Sequence, residues 1–306
     1  MKDRKKINLF WWQKESVKNF GDILTPIIIS ELSNNKVRYV YPSHKIGIFI
    51  LDNLRRLKIQ KVIKVFIDLF RKKIFAIGSI INYSDKKTIV WGSGIMNRND
   101  NIKGGDFVAV RGHESRKRLT DLGFNAPNIV GDPALLLRKT HKVQTKPIYE
   151  LGIIPHYVDY QYISKVTKEK KISIPIINFL NTNPLDVIEQ ICLCKKIVSS
   201  SLHGIIVSHT YNIPALWCLF SDKVYGDGIK YYDYFSSVDI EYYNGLSLEL
   251  NSSDTFINNI NSLFERYKNQ SLPATETIDK ICDELLLVAP FKVKDIYKST
   301  NDSINF

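Results

Sequence analysis

The chain has 306 residues, of which 44% are hydrophobic, 24% charged and 11% aromatic, and its formal net charge is +12. This composition excludes a disordered or fibrous protein, and the length exceeds that of one usual core, so we expect two domains. The positive charge favours anionic partners such as phosphorylated metabolites, acidic lipids or nucleic acid.

The apolar segments of the sequence bear on localisation, and its cysteines bear on metal binding. No apolar region long enough for a signal peptide follows residues 1–6, and no run reaches the roughly 18 uncharged residues of a membrane span. We therefore expect a cytoplasmic protein. The four cysteines are too few and too irregularly spaced for a disulfide framework or a zinc site, so we expect structural cysteines and no metal.

The chain begins with a predicted strand at residues 7–12, followed by an apolar helix from residue 27. Gly21 permits a tight turn before the helix, Asp22 is placed to cap it, and Pro26 is tolerated in its first turn. In a second interpretation, Asp22 is a carboxylate in a strand-to-helix loop, where it could accept a proton or a sugar hydroxyl.

Residues 53–73 are predicted to form one long amphipathic helix, in which eight lysines and arginines accompany a single acid, Asp68. Such a helix could lie on an anionic membrane surface. It could equally be an ordinary domain helix with one solvated face.

Small residues follow the next two predicted strands, at 74–77 and 88–91. The turns Gly78-Ser79 and Gly92-Ser93-Gly94 would let the backbone approach a ligand closely. Ser93 and Gly94 are therefore predicted to contact substrate, whereas a plain turn is expected at Gly78.

Arg111 follows a further strand at residues 106–110, and Arg116 lies one turn into the next helix. Both could direct a guanidinium group at a phosphate or carboxylate, although Arg116 could also belong to a solvated helix face. Asp132, which precedes Pro133, is interpreted as a turn residue.

The second half starts after a polar, basic stretch at residues 138–147, where we expect the domain boundary. His156 lies at the end of its first strand and Lys230 lies in a polar aromatic loop. The other predicted elements are a strand at 172–177, a strand at 196–198, and helices at 184–194, 254–270 and 275–289.

The segment Ser199–Gly204 reads as a strand, a tight turn and a helix N-terminus. Such a turn presents free backbone N–H groups and a positive helix end, which suit an anion. Ser200, Ser201 and Gly204 are predicted to line this site, and His203 could donate a proton to the bound group.

Strands that alternate with helices predict an α/β fold with two Rossmann-like domains and parallel sheets that face a cleft. We expect an N-terminal domain at 1–140 and a C-terminal domain at 147–275. A helical tail at 276–306 is expected to pack back on the N-terminal domain.

Six short motifs in this order resemble those of the polysaccharide pyruvyltransferase family. They are Asn19-Phe20-Gly21-Asp22, Trp91-Gly92-Ser93-Gly94, Val110-Arg111-Gly112, Gly131-Asp132-Pro133-Ala134-Leu135-Leu136, Pro155-His156-Tyr157 and Ser200-Ser201-Leu202-His203-Gly204. The resemblance implies a fold like that of GT-B (B-type) glycosyltransferases. It also implies transfer of pyruvate from phosphoenolpyruvate to two sugar hydroxyls, which gives a cyclic ketal and phosphate in the synthesis of a capsule or exopolysaccharide. The acceptor would be a lipid-linked or nucleotide-linked saccharide, and no cofactor would be needed.

Within this resemblance, His203 is the candidate acid, and Asp22 or His156 is the candidate base. In many relatives an arginine precedes the Leu-His-Gly triplet and helps to hold the donor, whereas this chain has Ser201. The resemblance thus implies that the cationic contact moves to Arg111, Arg116 or Lys230.

Two other functions fit parts of the sequence. A nucleotide-sugar glycosyltransferase would use the same fold, and a non-catalytic protein could bind a membrane or nucleic acid through residues 53–73. Nucleic acid is the less favoured partner, because the basic residues lack the aromatic interleaving of a single-strand groove.

Overall fold

The computed structural model describes residues 6–13, 20–44, 46–180, 183–250 and 253–298; Asn19 of the first motif lies outside them. The described chain is a mixed α/β structure with two parallel sheets. In the first half the strands are β1 (Ile7–Phe10), β2 (Val37–Tyr39), β3 (Lys73–Phe75), β4 (Thr88–Trp91) and β5 (Asp106–Ala109), and the helices are α1 (Phe20–Ser33), α2 (Ile46–Arg55), α3 (Ile59–Asp68), α4 (His113–Asp121) and α5 (Leu137–Thr140). In the second half the strands are β6 (Gly152–Ile154), β7 (Ile197–Ser199), β8 (Ala215–Leu219) and β9 (Leu246–Ser247), and the helices are α6 (Tyr160–Glu169), α7 (Pro184–Cys192), α8 (Leu202–Thr210), α9 (Ile229–Ser237), α10 (Ser253–Arg266), α11 (Lys268–Ser271) and α12 (Thr275–Leu287).

The first sheet has the strand order β2-β1-β3-β4-β5, and every neighbouring pair is parallel. The order reverses between β1 and β3, and open parallel sheets bind ligands at such a reversal, beyond the carboxyl ends of the strands. The chain after β1 leads to α1 with Asp22, and the chain after β3 leads to Gly78. The topology therefore places Asp22 at the edge where sheets of this type bind their ligands.

The second sheet has the order β6-β7-β8-β9 and is also parallel. Ile153 of β6 pairs with Val198 of β7, so the turns that follow these two strands are neighbours. One turn carries His156 and the other carries Ser199 to Ser201. Strand pairing thus places two of the sequence motifs side by side.

Apolar side chains of both halves form one continuous core. The rings of Phe20 and Phe179 lie 4.4 Å apart, and the indole Nε1 of Trp91 donates a hydrogen bond to the carbonyl oxygen of Leu285, 2.9 Å away. Helix α12 is therefore attached to the first half. The division into two domains and the presence of a cleft stay predictions.

The prediction of one helix over residues 53–73 is wrong. The chain forms α2 and α3 instead, because Leu57 adopts a left-handed conformation with φ of 54°. The backbone N–H of Lys58 reaches the carbonyl of Asn53, and the N–H of Leu57 reaches Leu54, which is the hydrogen-bond pattern of a helix C-terminus. Lys73 belongs to β3 and is buried.

Other predicted elements also differ in the structure. Residues 229–237 of the predicted loop form helix α9, because Tyr231, Tyr234 and Phe235 at helical spacing pack into the core. Residues 172–177 make a single bridge, between Ile176 and Ile153, and no strand. Helix α1 begins at Phe20 and not at residue 27, so the prediction that Asp22 caps it is wrong: Asp22 lies inside its first turn, and Pro26 lies beyond that turn.

Candidate active site

The turn between β7 and α8 forms the predicted anion site. Ser201 has an extended backbone at the start of α8, and no side chain caps this helix. The first backbone N–H groups of a helix have no carbonyl partner within it, and they carry the positive end of the helix dipole. The local chemistry therefore favours an anion at this turn.

Serine side chains and Gly204 hold the turn in place. The Oγ of Ser199 lies 3.0 Å from the carbonyl oxygen of Ile154 and 2.9 Å from that of Ser201. A Cβ atom at Gly204 would overlap Ser199. The Oγ of Ser200 accepts a hydrogen bond of 2.8 Å from the backbone N–H of His156. Ser200 therefore stabilises the turn, and Gly204 in the first turn of α8 leaves room for Ser199.

His203 lies against Asp132 of the first half. The Nε2 atom of His203 is 3.7 Å from Oδ2 of Asp132, and neither atom makes a hydrogen bond to a described residue. The other oxygen of Asp132, Oδ1, accepts from the backbone N–H of Ala134 at 2.9 Å, and the residue is fully buried. Asp132 is thus held in place with one oxygen facing the imidazole.

Sequence reasoning missed this second role of Asp132. The cap that it forms before Pro133 is a local feature, and the sequence predicted it as a turn residue. Its partner His203 is distant in the chain, so no spacing rule connects the two residues. The Gly-Asp-Pro motif was the available signal.

Gly21 provides the space for His203. A Cβ atom at position 21 would overlap the imidazole ring. The first turn of α1 therefore forms one wall around His203, and a larger residue than glycine would displace the ring. Asp22, the next residue, is buried. A Cβ at Gly78 would lie 2.6 Å from Oδ1 of Asp22, so this glycine, with φ of 111°, makes room for the carboxylate.

Arg111 lies inside the protein and makes hydrogen bonds in three directions. Its Nε donates to Oδ2 of Asp233 at 2.9 Å, its Nη1 to Oγ of Ser79 at 2.6 Å, and its Nη2 to the carbonyl oxygen of Ile95 at 2.6 Å. The side chain has no exposed surface. The predicted contact of Arg111 with substrate stays a prediction, and this geometry gives the residue a structural function.

Asp233 is the buried partner of Arg111. It accepts from the backbone N–H of Ser115 at 2.7 Å and from its Oγ at 2.6 Å. Burial raises the pKa of the Asp233 carboxyl, and Arg111 and the Ser115 donors oppose this effect by stabilising the carboxylate. The ion pair connects α9 to the turn after β5.

Ser93 and Gly94 lie next to Arg111, whose backbone N–H donates to the carbonyl oxygen of Ser93 at 3.2 Å. The Oγ of Ser93 donates to the carbonyl oxygen of Gly78 at 2.8 Å, and a Cβ at Gly94 would lie 2.5 Å from the guanidinium carbon of Arg111. Arg116 is half-buried on α4, and its Nη2 donates to Oδ1 of Asn128 at 3.2 Å. Their predicted substrate contacts stay predictions, and the hydrogen bond of the Arg116 side chain goes to a residue outside the predicted site.

Lys230 interacts electrostatically with Arg111 and Asp22 of the first half. It is buried, and its ammonium makes one long hydrogen bond among the described residues, 3.3 Å to the carbonyl oxygen of Tyr225. Burial and, to a smaller extent, the charge of Arg111 lower the pKa of Lys230 to about 8, and Asp22 opposes this shift. An ammonium has three donors, so Lys230 has the capacity to bind an anion.

His156 lies within the field of Lys230. Burial, together with the Lys230 charge, lowers the pKa of His156 to about 3, so its imidazole is neutral at physiological pH. Its Nδ1 is buried and has no hydrogen-bond partner among the described residues. The described chain holds no group of three or more His, Cys, Asp or Glu side chains arranged to bind a metal.

Comparison with known proteins agrees with the six sequence motifs. A family model described as polysaccharide pyruvyl transferase matches residues 19–221, a range that includes every motif. Uncharacterized protein L143 of Acanthamoeba polyphaga mimivirus is 37% identical over 171 residues, which are 54% of this chain and 60% of that relative. The chain thus matches less than two thirds of the relative's length. No solved structure matches the chain significantly.

Proposed function

The chain belongs to the polysaccharide pyruvyl transferase family, and we propose that it transfers pyruvate from phosphoenolpyruvate to two hydroxyls of a saccharide. The methylene carbon of the donor gains a proton, and the first hydroxyl adds to the neighbouring carbon and loses its proton. Phosphate leaves as the second hydroxyl adds and loses its proton. The products are a cyclic pyruvate ketal and inorganic phosphate.

The buried ammonium of Lys230 is the observation that carries this proposal. Phosphoenolpyruvate bears a phosphate and a carboxylate, and both require cationic and N–H donors. Of the three cations that the sequence suggested, Arg111 is bound by Asp233, and Arg116 donates to Asn128. We therefore assign the donor anion to Lys230 and to the N-terminus of α8, where Ser201 stands in the place of the family arginine.

His203 is the proposed acid that protonates the methylene carbon. It lies at the start of α8, beside the proposed anion site, and Asp132 faces its Nε2. A buried carboxylate next to an imidazole can orient the ring and stabilise its protonated form. Asp132 is accordingly proposed as a positioning residue.

Asp22 is the better proposed base of the two candidates. The pKa of His156 is about 3, so its imidazole binds protons too weakly to remove one from a sugar hydroxyl at neutral pH. The carboxylate of Asp22 lies at the reversal of the first sheet, where ligands bind. We propose that His156 orients the donor or acceptor through hydrogen bonds.

The proposed acceptor is a lipid-linked or nucleotide-linked saccharide, used in the cytoplasm for a capsule or exopolysaccharide. A GT-B-like arrangement of the two halves is part of the same proposal. None of the described helices is long and apolar enough to cross a membrane, so a lipid-linked acceptor would be reached at the membrane surface.

The test is the release of phosphate from phosphoenolpyruvate. We expect release only when a saccharide acceptor is present, and a loss of about 10²- to 10⁴-fold in His203→Ala, because one proton-transfer group is removed. His113→Ala, which changes an exposed histidine on α4, is the matched control and should keep full activity.

Two results would contradict the proposal. Full activity in His203→Ala would remove the assigned acid. Thermal stabilisation by a uridine or guanosine diphosphate sugar, with none by phosphoenolpyruvate, would instead favour the glycosyltransferase.

A further inference from the structure

The outer side of helices α2 and α3 exposes a dense group of large apolar side chains. Leu57 is 87% exposed and Phe70 is 77% exposed. We call this group the hairpin face; it consists of Ile48, Leu51, Leu54, Leu57, Ile59, Ile63, Phe66, Ile67 and Phe70. Soluble monomers rarely leave such a large contiguous apolar surface in water, and surfaces of this kind mark interaction sites.

The fold of the protein does not need the hairpin face. The inner sides of α2 and α3 already pack on the first sheet, where Phe49 and Val65 join a cluster with Phe10, Phe75 and Ile80. Because the core contacts of both helices come from this opposite side, the exposed apolar residues require another explanation.

Cations surround the hairpin face. Residues 46–72 contain seven lysines and arginines and two acids. Of these acids, Asp68 is buried between Lys64 and Arg71, whereas Asp52 is exposed and lies 3.3 Å from Arg56. The surface therefore combines apolar side chains with excess positive charge, including the exposed Arg55, Arg56, Lys61 and Lys72.

We propose that the hairpin face docks on an anionic lipid bilayer. Apolar side chains enter the boundary between headgroups and acyl chains, and the surrounding cations bind acidic headgroups. A second copy of the chain fits less well, because a symmetric dimer would place two positive surfaces against each other. The helices are too short to span a membrane, so the contact is peripheral.

The place where α2 joins the first sheet determines which side of the protein would face the bilayer. Helix α2 follows the carboxyl end of β2, and Nδ1 of His44, just before α2, lies 2.8 Å from the carbonyl oxygen of Asn82. The start of α2 is therefore tied to the segment that follows β3, on the ligand-binding side of the sheet. Docking would hold that side near the bilayer, whatever reaction the protein catalyses.

Vesicle flotation tests the apolar part of the surface. The full chain should float with phosphatidylglycerol vesicles at low salt and stay behind with phosphatidylcholine vesicles. The double variant Leu57→Asn and Phe70→Ser should bind at least tenfold less, because two apolar anchors are lost. Asparagine tolerates the left-handed backbone at position 57, so folding is preserved.

The matched control, Leu287→Asn with Ile296→Ser, changes two similarly exposed apolar residues elsewhere and should float like the unmodified chain.

A charge-reversal variant tests the electrostatic part. Changing Arg55, Arg56 and Lys61 to glutamate should weaken binding by about 100-fold or more. The same change in Lys165 and Lys168 on α6 and in Lys170, which directly follows α6, alters the net charge equally and should leave binding unchanged. The proposal is overturned if the unmodified chain fails to float, if neutral vesicles bind it equally, or if the chain is a dimer that Leu57→Asn with Phe70→Ser dissociates.

Discussion

His203 and Asp132 are placed so that one side chain orients the other. The atoms Nε2 and Oδ2 face each other at 3.7 Å, and both are buried without another partner among the described residues. Asp132→Asn keeps the shape of the side chain and the oxygen that caps the following turn. We expect this variant to lower kcat at least about tenfold, because the protonated imidazole loses its carboxylate.

Steady-state kinetics with phosphoenolpyruvate distinguishes positioning from folding. In Asp132→Asn the KM for phosphoenolpyruvate and the thermal midpoint should stay near those of the unmodified enzyme. If KM rises while kcat is unchanged, Asp132 acts in binding and the positioning role is wrong.

Lys230 predicts an alkaline limit to donor binding. Burial lowers its pKa to about 8, so the ammonium is charged below that pH and loses its charge above it. The kcat/KM for phosphoenolpyruvate, which reports the free enzyme, should fall about tenfold for each pH unit above about 8.

Two variants of Lys230 check this assignment. Lys230→Arg should remove the alkaline limit, because a guanidinium stays charged. Lys230→Met should have a low kcat/KM at every pH. An unchanged alkaline limit in Lys230→Arg would show that another group titrates.

Among the secondary-structure elements, helix α1 lies against the His203 ring at Gly21. Alanine favours a helix by roughly 1 kcal/mol over glycine, but a Cβ at position 21 would overlap the His203 ring. We expect Gly21→Ala to lose activity to nearly the same extent as His203→Ala. The measurement is acceptor-dependent phosphate release.

Gly47→Ala is the matched control for this prediction. Gly47 lies in α2, and nothing lies within 4 Å of the position that its Cβ would occupy. This variant gains the same helix preference without a clash, so it should be at least as stable and fully active. Full activity in Gly21→Ala would mean that the His203 ring can move aside without a loss of catalysis.

The turns and helices that depend on residues close together in the chain were predictable from the sequence. In the strand-turn-helix at residues 197–210, the β-branched run Ile197-Val198, the small turn residues and the apolar helix lie within a few positions of one another. The break at Leu57 and the helix α9 were not predictable in this way. No neighbouring residue indicates that Leu57 will adopt a positive φ. In α9 the polar residues obscure the helical spacing of the aromatic residues, which becomes clear only from their packing in the core.

At the scale of the whole molecule, the ion pair of Arg111 and Asp233 connects the two halves. Both side chains are fully buried. Asp233→Asn would leave the guanidinium charge buried without its partner, and we expect it to lower the free energy of unfolding by about 3–5 kcal/mol. Denaturant unfolding measures this loss.

Asp121→Asn provides the comparison. Asp121 pairs with Lys117 at 2.7 Å on the exposed surface of α4, and such pairs contribute roughly 1 kcal/mol or less. If the two variants unfold alike, the buried pair has no special importance for stability.

Local features of the sequence are enough to predict the α/β class, the family and the position of His203 at a helix start. Each of these depends on residues that are close in the chain, through periodicity, turn chemistry and short motifs. Which charged groups have a partner depends on the tertiary structure. It buries Arg111 against Asp233, leaves Lys230 with one long hydrogen bond among the described residues and brings Asp132 to His203. These outcomes depend on contacts between residues far apart in sequence. The packing of the two sheets determines which of these residues meet.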